Sequence, residues 1–311
     1  MSSDQGGAHG ADKKEFVEAI ARGLAVIEAF DRNHAEMTLS EVAGRTGLSP
    51  ATARRCLNTL VSLGYVRQVG RKFVLAARVL SLGSAYTRAT QIEEFIVPEL
   101  RKLVEQFGDA SSVSVLDDRD ILYVAHVTRQ SATRPAAAVG VRYPAYATSM
   151  GRVMLAFAEP TYRDAYLASG PFAALTDRTA TRPEDLARIL AEVRRQGYSV
   201  VIDELDYGIA ALAVPIRNGG GRVIAALNTS GYSGRLTPET LVEGRLLRLR
   251  EAARAIEQTL ETSPVLVHST QLAPPRRREG REATMNPPRG AVDRASIVHH
   301  HPFLRPLAEH I

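Results

Sequence analysis

The chain has one cysteine, Cys56, in 311 residues. A single thiol closes no internal disulfide and builds no Cys-rich zinc module. No apolar run is long enough to span a bilayer, and no charged-then-apolar signal segment opens the sequence. The expectation is a cytoplasmic protein without membrane attachment. Signatures of enzyme chemistry are missing too. There is no G-x-x-x-x-G-K phosphate loop, no G-x-G-x-x-G after a strand-like run and no G-x-S-x-G nucleophile elbow. Internal repeats are absent. At 45% hydrophobic residues there is ample material for packed cores, so a wholly disordered protein is excluded, and the length suits two domains.

What is present is an uneven charge. The 39 basic and 34 acidic residues leave a net +5. Residues 13–90 hold 12 Lys+Arg against 6 Asp+Glu, whereas residues 91–260 hold 20 against 21. A localised basic block is the electrostatic footprint of nucleic-acid binding, and equally the make-up of an ordinary solvated face.

Residues 1–12 are rich in Gly, Ser and Asp and read as a disordered arm. Over 13–76 the pattern is that of a small helical domain. Phe16, Ile20, Leu24, Ile27 and Phe30 recur at helical spacing. A second helix opens at Thr38 or Ser40, turns Val42 and Ala43 inward and stops at Gly47. A third follows Ser49, a natural N-cap, with Pro50 suited to the first helical position and Ala53, Leu57 and Leu60 as its buried stripe. Tyr65–Val69 and Lys72–Leu75, joined at Gly70-Arg71, read as a β-hairpin. Residues 77–90 form an apolar linker helix, suited to dimerisation.

Residues 91–260 alternate helices and strands. Helices are expected over Ile92–Phe107, Met150–Ala158, Thr161–Ser169, Glu184–Gln196 and from Thr237 to about Leu260. Strands are expected over Ser111–Leu116, Ile121–His126, Tyr198–Ile202, Ile209–Ile216 and Val223–Asn228. The fold class is α+β on a mostly antiparallel sheet. Residues 261–311, with Pro274-Pro275-Arg276-Arg277-Arg278, lose all periodicity and read as a disordered tail.

Helix, helix, Gly turn, helix and basic hairpin is the order of a winged helix-turn-helix. A recognition helix needs an apolar stripe to dock on its own domain and a polar stripe to enter the major groove. The third helix has both. Ser49, Thr52, Arg54, Arg55, Asn58 and Thr59 are the candidate DNA-binding residues, since Arg reads guanine bidentately, Asn reads adenine, and Ser or Thr binds phosphate or base edges. Arg71 and Lys72 at the hairpin tip suit phosphate or minor-groove contact.

Arg22-Gly23-Leu24-Ala25-Val26-Ile27-Glu28, Thr38-Leu39-Ser40-Glu41-Val42-Ala43 and Leu48-Ser49-Pro50-Ala51-Thr52-Ala53-Arg54-Arg55-Cys56-Leu57 resemble the IclR-type transcriptional regulators, and the likeness runs to about Leu260. It implies an N-terminal winged helix and a C-terminal GAF-like effector domain. It also implies binding to palindromic operator DNA as a homodimer or dimer of dimers. Tyr146-Ala147-Thr148-Ser149-Met150-Gly151-Arg152-Val153-Met154-Leu155-Ala156 and Leu205-Asp206-Tyr207-Gly208 resemble the branch that controls the β-ketoadipate pathway. Two positions depart from many family members: Val201 stands for an acidic residue, as is common in this branch, and Ala211 for Cys or Ser.

The effector implied is a small aromatic or keto carboxylic acid. A helix N-terminus favours an anion, and Thr148, Ser149, Met150 and Gly151 would form one, with Gly151 allowing close approach. The resemblance adds Asn228 and Ser230 to the pocket. Arg134 is a candidate partner for the acid and Tyr146 for a ring or phenol; Arg142 and Tyr143 lie on the same approach. No cofactor or metal is implied. His299-His300-His301 falls in the tail, and Cys56 reads as a packing residue. Asp203, Glu204 and Asp206 read as a solvated edge before a strand. The alternative is an enzyme or ligand-binding module for such acids without DNA binding.

Overall fold

The computed structural model describes residues 16–129 and 137–260, with Val265 and Ser269. The arm expected over 1–12, the triplet at 299–301 and Arg134 lie outside the described residues, as does nearly all of the tail. The chain divides into two compact units, Met1–Gln91 and Ile92–Ile311.

In the first unit, α1 (Glu18–Glu28) leads to a short strand β1 (Glu36–Thr38) and then α2 (Leu39–Thr46). Thr38 is the N-cap. Its hydroxyl accepts from the Glu41 backbone N–H at 3.4 Å, and the Glu41 carboxylate accepts from the Thr38 backbone N–H at 2.7 Å, a reciprocal capping box. Gly47, at φ 67°, ends α2 in the left-handed conformation that a side chain would penalise, and so turns the chain into α3 (Pro50–Ser62). Strands β2 (Val66–Val69) and β3 (Lys72–Leu75) follow, and β1 completes the wing sheet in the order β1-β3-β2. The core gathers Val26, Met37, Val42, Ala53, Leu57, Leu60 and Phe73. A 3₁₀ turn (Ala77–Val79) then leads into α4 (Leu80–Thr90).

The apolar residues expected to be buried on α1 and α4 do not all go inside. Ile20 is 62% and Leu80 74% exposed, and Phe16, Leu24 and Leu82 are exposed as well. In α1 the fully buried position is Val26. Periodicity located the apolar face of α1 and could not tell whether the chain itself covers it.

The second unit opens with α5 (Ile92–Phe95) and α6 (Val97–Phe107) where one helix was expected. The break falls at Ile96; Pro98, in the first turn of α6, supplies no N–H to continue the ladder from α5, and a helix start is where that loss is tolerated. Strands β4 (Ala110–Asp117), β5 (Asp120–Val127) and β6 (Arg142–Pro144) lead through a 3₁₀ turn (Ala145–Ala147) into α7 (Ser149–Phe157). Then come α8 (Pro160–Leu167), α9 (Pro183–Gln196), β7 (Ser199–Ile202), β8 (Ile209–Arg217), β9 (Val223–Tyr232) and α10 (Pro238–Leu260). The six-stranded antiparallel sheet has the order β6-β5-β4-β9-β8-β7. β9 runs four residues past the expected end because Thr229–Tyr232 pair with β8, and Thr229 and Ser230 also with β4. Sandwiched between two strands, these turn-prone residues keep the ladder. One sheet face carries α7 with Met150, Met154, Ala213 and Ala226 in its core. On the other, Arg245 of α10 donates to Thr229 Oγ1 at 3.0 Å and to Asp109 Oδ2 at 2.6 Å, and lies over the Phe107 ring.

The capping box gives the first prediction. Thr38→Ala should lower stability by about 1 kcal/mol in denaturant titration, and Thr38→Ser should retain most of it. The hydrogen bonds from Thr38 hold Glu41 below its ordinary carboxylate range. The Glu41 half of the box is therefore present above that range and lost as pH falls through it.

Candidate nucleic-acid interface and effector site

α3 is two-sided. Ser49 Oγ accepts from the Thr52 N–H at 3.3 Å and shares a 2.9 Å hydrogen bond with Thr52 Oγ1. Ala53 and Leu57 are fully buried and Leu60 nearly so, which docks the helix. Arg54, Arg55, Asn58 and Thr59 are exposed. Thr59 Oγ1 donates back to Arg55 O at 2.9 Å, and half-buried Thr52 is engaged with the cap. The groups the helix holds out to a groove are thus Arg54, Arg55 and Asn58, and no ion pair among the described residues occupies either arginine. At the wing, Arg71 is exposed beside Gly70, whose φ of 59° makes the turn. Lys72 is paired with Glu36 at 3.1 Å across the β1–β3 ladder. Arg67, passed over in the sequence, is exposed next to buried Val66; the strand alternation was the signal.

The effector candidates separate into three groups. Thr148 caps α7: its hydroxyl accepts from the Gly151 N–H at 3.1 Å, and its carbonyl accepts from the Arg152 N–H at 3.0 Å. The backbone N–H groups of Ser149 and Met150 have no partner among the described residues, which leaves an anion-favouring helix start. Met150 itself is core, its sulfur 3.2 Å from Ser114 Oγ. Gly151 is small for a different reason from the one expected. A Cβ there would overlap the backbone of Ala145, so the close approach is made by the preceding turn. Tyr146 likewise serves the core: its ring stacks on Phe172, its hydroxyl donates to Ala173 O at 2.8 Å, and burial with nearby Asp120 pushes its pKa up to about 12. Arg142 is taken by Asp117 and Asp120 at the β4–β5 turn.

Asn228 and Ser230 sit on β9 as alternate residues, on the face that carries α7. Asn228 is buried and its Oδ1 has no hydrogen-bond partner among the described residues, and the same holds for Ser199 Oγ on β7. Such an orphaned buried group costs about 1–3 kcal/mol, which a polar ligand would offset. The pairing Asn228↔Ala213↔Ser199 puts both on one row, which continues through Ser112 to His126. Ser112 Oγ lies 2.9 Å from His126 Nδ1, and burial lowers the His126 pKa, keeping the ring neutral at pH 7. Ser112, His126 and Ser199 were missed in the sequence, where only their place in the sheet register could have marked them.

α7 is clamped by a buried ion pair. The Arg152 guanidinium, 3% exposed, donates to Glu204 through two nitrogens, one at 2.7 Å, and to Tyr146 O at 2.8 Å. Glu204 also accepts from the Ala180 N–H at 3.2 Å, while Thr176 and Thr179 hydroxyls donate to the carbonyls of Asp203 and Glu204. Asp203 accepts from the Gly208 N–H. Of the acidic run read as a solvated edge, Asp206 is exposed as expected, whereas Glu204 is the buried counter-charge of α7 and Asp203 is held by Arg178 and the Gly208 N–H.

Two family models match. The IclR helix-turn-helix domain covers residues 19–70, and the bacterial transcriptional regulator IclR C-terminal domain covers 84–258. The chain belongs to the IclR family. It is 39% identical over 241 residues to the Pca regulon regulatory protein of Pseudomonas putida, covering 77% of this chain and 83% of that one. It is 32% identical to the p-hydroxybenzoate hydroxylase transcriptional activator of Acinetobacter baylyi, covering 78% and 92%. Among solved structures, an IclR homolog of Microbacterium hydrocarbonoxydans complexed with 4-hydroxybenzoate superposes with a TM-score of 0.67 at 28% identity, over 79% of this chain and all of that one.

This IclR-family chain is therefore a DNA-binding transcriptional regulator and not an enzyme. No described helix is long and apolar enough to cross a membrane, and the described residues contain no cluster of metal-ligating side chains.

Arg152→Met should destabilise the protein by about 3–5 kcal/mol in thermal or denaturant unfolding, because Glu204 is left buried and uncompensated. Adding Glu204→Leu should recover most of that loss. For DNA, Arg55→Ala should cost about 1–3 kcal/mol of preference for an operator selected from random sequence, whereas Arg71→Ala should weaken all duplexes alike and reduce the salt slope by about one.

Proposed function

We propose that this regulator binds its operator as a homodimer, or a dimer of dimers, and that a small aromatic or keto carboxylic acid controls that binding, governing genes of aromatic-acid catabolism. The observation that carries the effector reading is the pair of buried oxygens without a partner among the described residues, Asn228 Oδ1 and Ser199 Oγ, on the sheet face that carries α7, whose N-terminus favours a carboxylate. The named relatives act in Pca and p-hydroxybenzoate regulation, and the Microbacterium homolog holds 4-hydroxybenzoate. These names support the class of acid.

The dimer reading rests on apolar surface. Phe16, Ile20 and Leu24 on and before α1, and Leu80 and Leu82 on α4, are exposed, and a second copy would cover them. The DNA-binding domain we assign to 13–76, the linker to 77–90 and the effector domain to 91–260. The effector acts through its differential affinity for DNA-competent and DNA-incompetent arrangements. Its place of action is the cytoplasm.

A thermal-shift screen with protocatechuate, 4-hydroxybenzoate and β-ketoadipate, followed by operator titration with any binder, tests this reading. At least one acid should raise the melting temperature and change operator affinity. Operator binding that no acid changes would overturn the effector assignment while leaving the DNA assignment standing.

A further inference from the structure

α9 packs against both α7 and α8, and the three helices border a groove of about 560 Å³, a size suited to a small molecule. From α9 it is lined by Ala187, Leu190, Ala191, Arg194 and Arg195, whose spacings of three and four make one helix face. α8 contributes Arg163, Asp164 and Leu167, and α7 contributes Ala156, one residue before its end. The groove is open because three of these positions are alanine, where longer side chains would fill it. Ser149 and Ala156 lie roughly 10 Å apart along the axis of α7, so the groove is at the opposite end of that helix from the start read above as anion-favouring.

The floor is aliphatic, and no aromatic ring lines it. The rim is cationic. Arg163 is taken by Asp164 and Arg195 by Glu192, each through two hydrogen bonds. Arg194 has no carboxylate partner among the described residues. Its guanidinium donates to Ala156 O at 2.8 Å and lies over the Phe157 ring, 5.6 Å from the centroid. Those two contacts fix the cation at the groove and leave its other N–H groups uncommitted, so an anion meets a donor already in position. The pairing leaves one positive charge at the rim, which suits one carboxylate; a second would lie on the aliphatic floor unpaired. From Ala187 to Arg195 the groove follows roughly 12 Å of helix axis, the length of an extended chain of about ten carbons.

We infer that the groove between α8 and α9 is a second ligand site, which takes a monocarboxylate with an aliphatic chain. The carboxylate pairs with Arg194, and the chain lies along Leu167, Leu190 and the three alanines. The inference stands apart from the effector reading above, since it uses neither the sheet nor the start of α7. Arg194 also holds the last turn of α7 through Ala156 O, so a bound carboxylate shares its cation with that helix end.

The test is calorimetric titration of the full chain with decanoate, below its micellar range, and with hexanoate. Wild type should bind one decanoate per chain and hexanoate at least about tenfold more weakly, because each buried methylene tightens binding by about threefold. Arg194→Gln should weaken decanoate by about tenfold. Ala191→Leu and, as a separate variant, Ala187→Leu fill the groove from successive turns of α9 and should each abolish binding. Ala191 is exposed and Ala187 half-buried, so neither leucine enters the core, and retained operator binding shows that the variants fold. Asn228→Leu should leave decanoate affinity within about twofold of wild type, since the sheet lies outside the groove lining. Absence of saturable binding to wild type overturns the site, as does binding that survives Arg194→Gln and both leucine variants. Binding lost in Asn228→Leu and kept in the leucine variants also overturns it, and assigns decanoate to the sheet face instead.

Discussion

The seating of α7 depends on a charge that has to be neutralised inside the protein. Arg152 lies one turn into the helix with its guanidinium almost wholly buried, and a lone cation there would be prohibitively costly. Glu204 answers it with both oxygens, and the Arg152 Nε–H goes to Tyr146 O. Since Glu204 stands on the loop after β7 and Tyr146 on the turn before α7, one ion pair fixes the helix against two other segments. Gly151 tightens the same joint by admitting the Ala145 backbone. The direction of the α7 N-terminus, and with it the place where an anion is favoured, follows from this joint.

The two candidate sites differ in how polar groups are left without partners. On α3 the unpaired groups are in water, where Arg54, Arg55 and Asn58 cost little and wait for phosphates or bases. On the sheet they are buried, where Asn228 Oδ1 and Ser199 Oγ have no partner among the described residues and cost stability for it. The first arrangement suits a polyanion attracted from a distance and made selective by a few base contacts. The second suits a small ligand whose binding energy depends on matching a fixed set of donors and acceptors. A protein that reads DNA with one unit and a metabolite with the other needs this contrast.

Local rules made the first unit legible. The Ser49 cap, the Gly47 stop and the Ala53, Leu57, Leu60 stripe each follow from spacing and residue type, and each stands where the sequence placed it. β1 escaped because three residues give no periodicity; it exists through pairing with β3. In the second unit most helices and strands were legible, and what pairs with what was not. Thr229 to Tyr232 lie past the expected strand end and join the strand because β8 pairs with all four and β4 with Thr229 and Ser230. Glu204 read as solvent-facing because its partner lies 52 residues away in the chain. Ser112 and His126 are commonplace residues in a strand, and only the register shows them beside Asn228. The family resemblance pointed to Asn228 and Ser230 before any geometry did; the structure puts them on one face of β9 and leaves Asn228 Oδ1 without a partner among the described residues.

β9 also joins the effector face to the rest of its unit. Asn228 and Ser230 point to one face, and Thr229 between them points to the other, where Arg245 of α10 holds it. Arg245 in turn holds Asp109, which lies between the end of α6 and the start of β4. β9 thus presents Asn228 on one face while its other face is tied through Arg245 to α10 and to Asp109, just past the end of α6. α5 and α6 follow α4 directly in the chain, so this tie holds the first helices of the second unit. Coupling between effector and operator is a difference in binding free energy between two arrangements. A rigid, fully hydrogen-bonded tie of this kind does not itself supply the two arrangements.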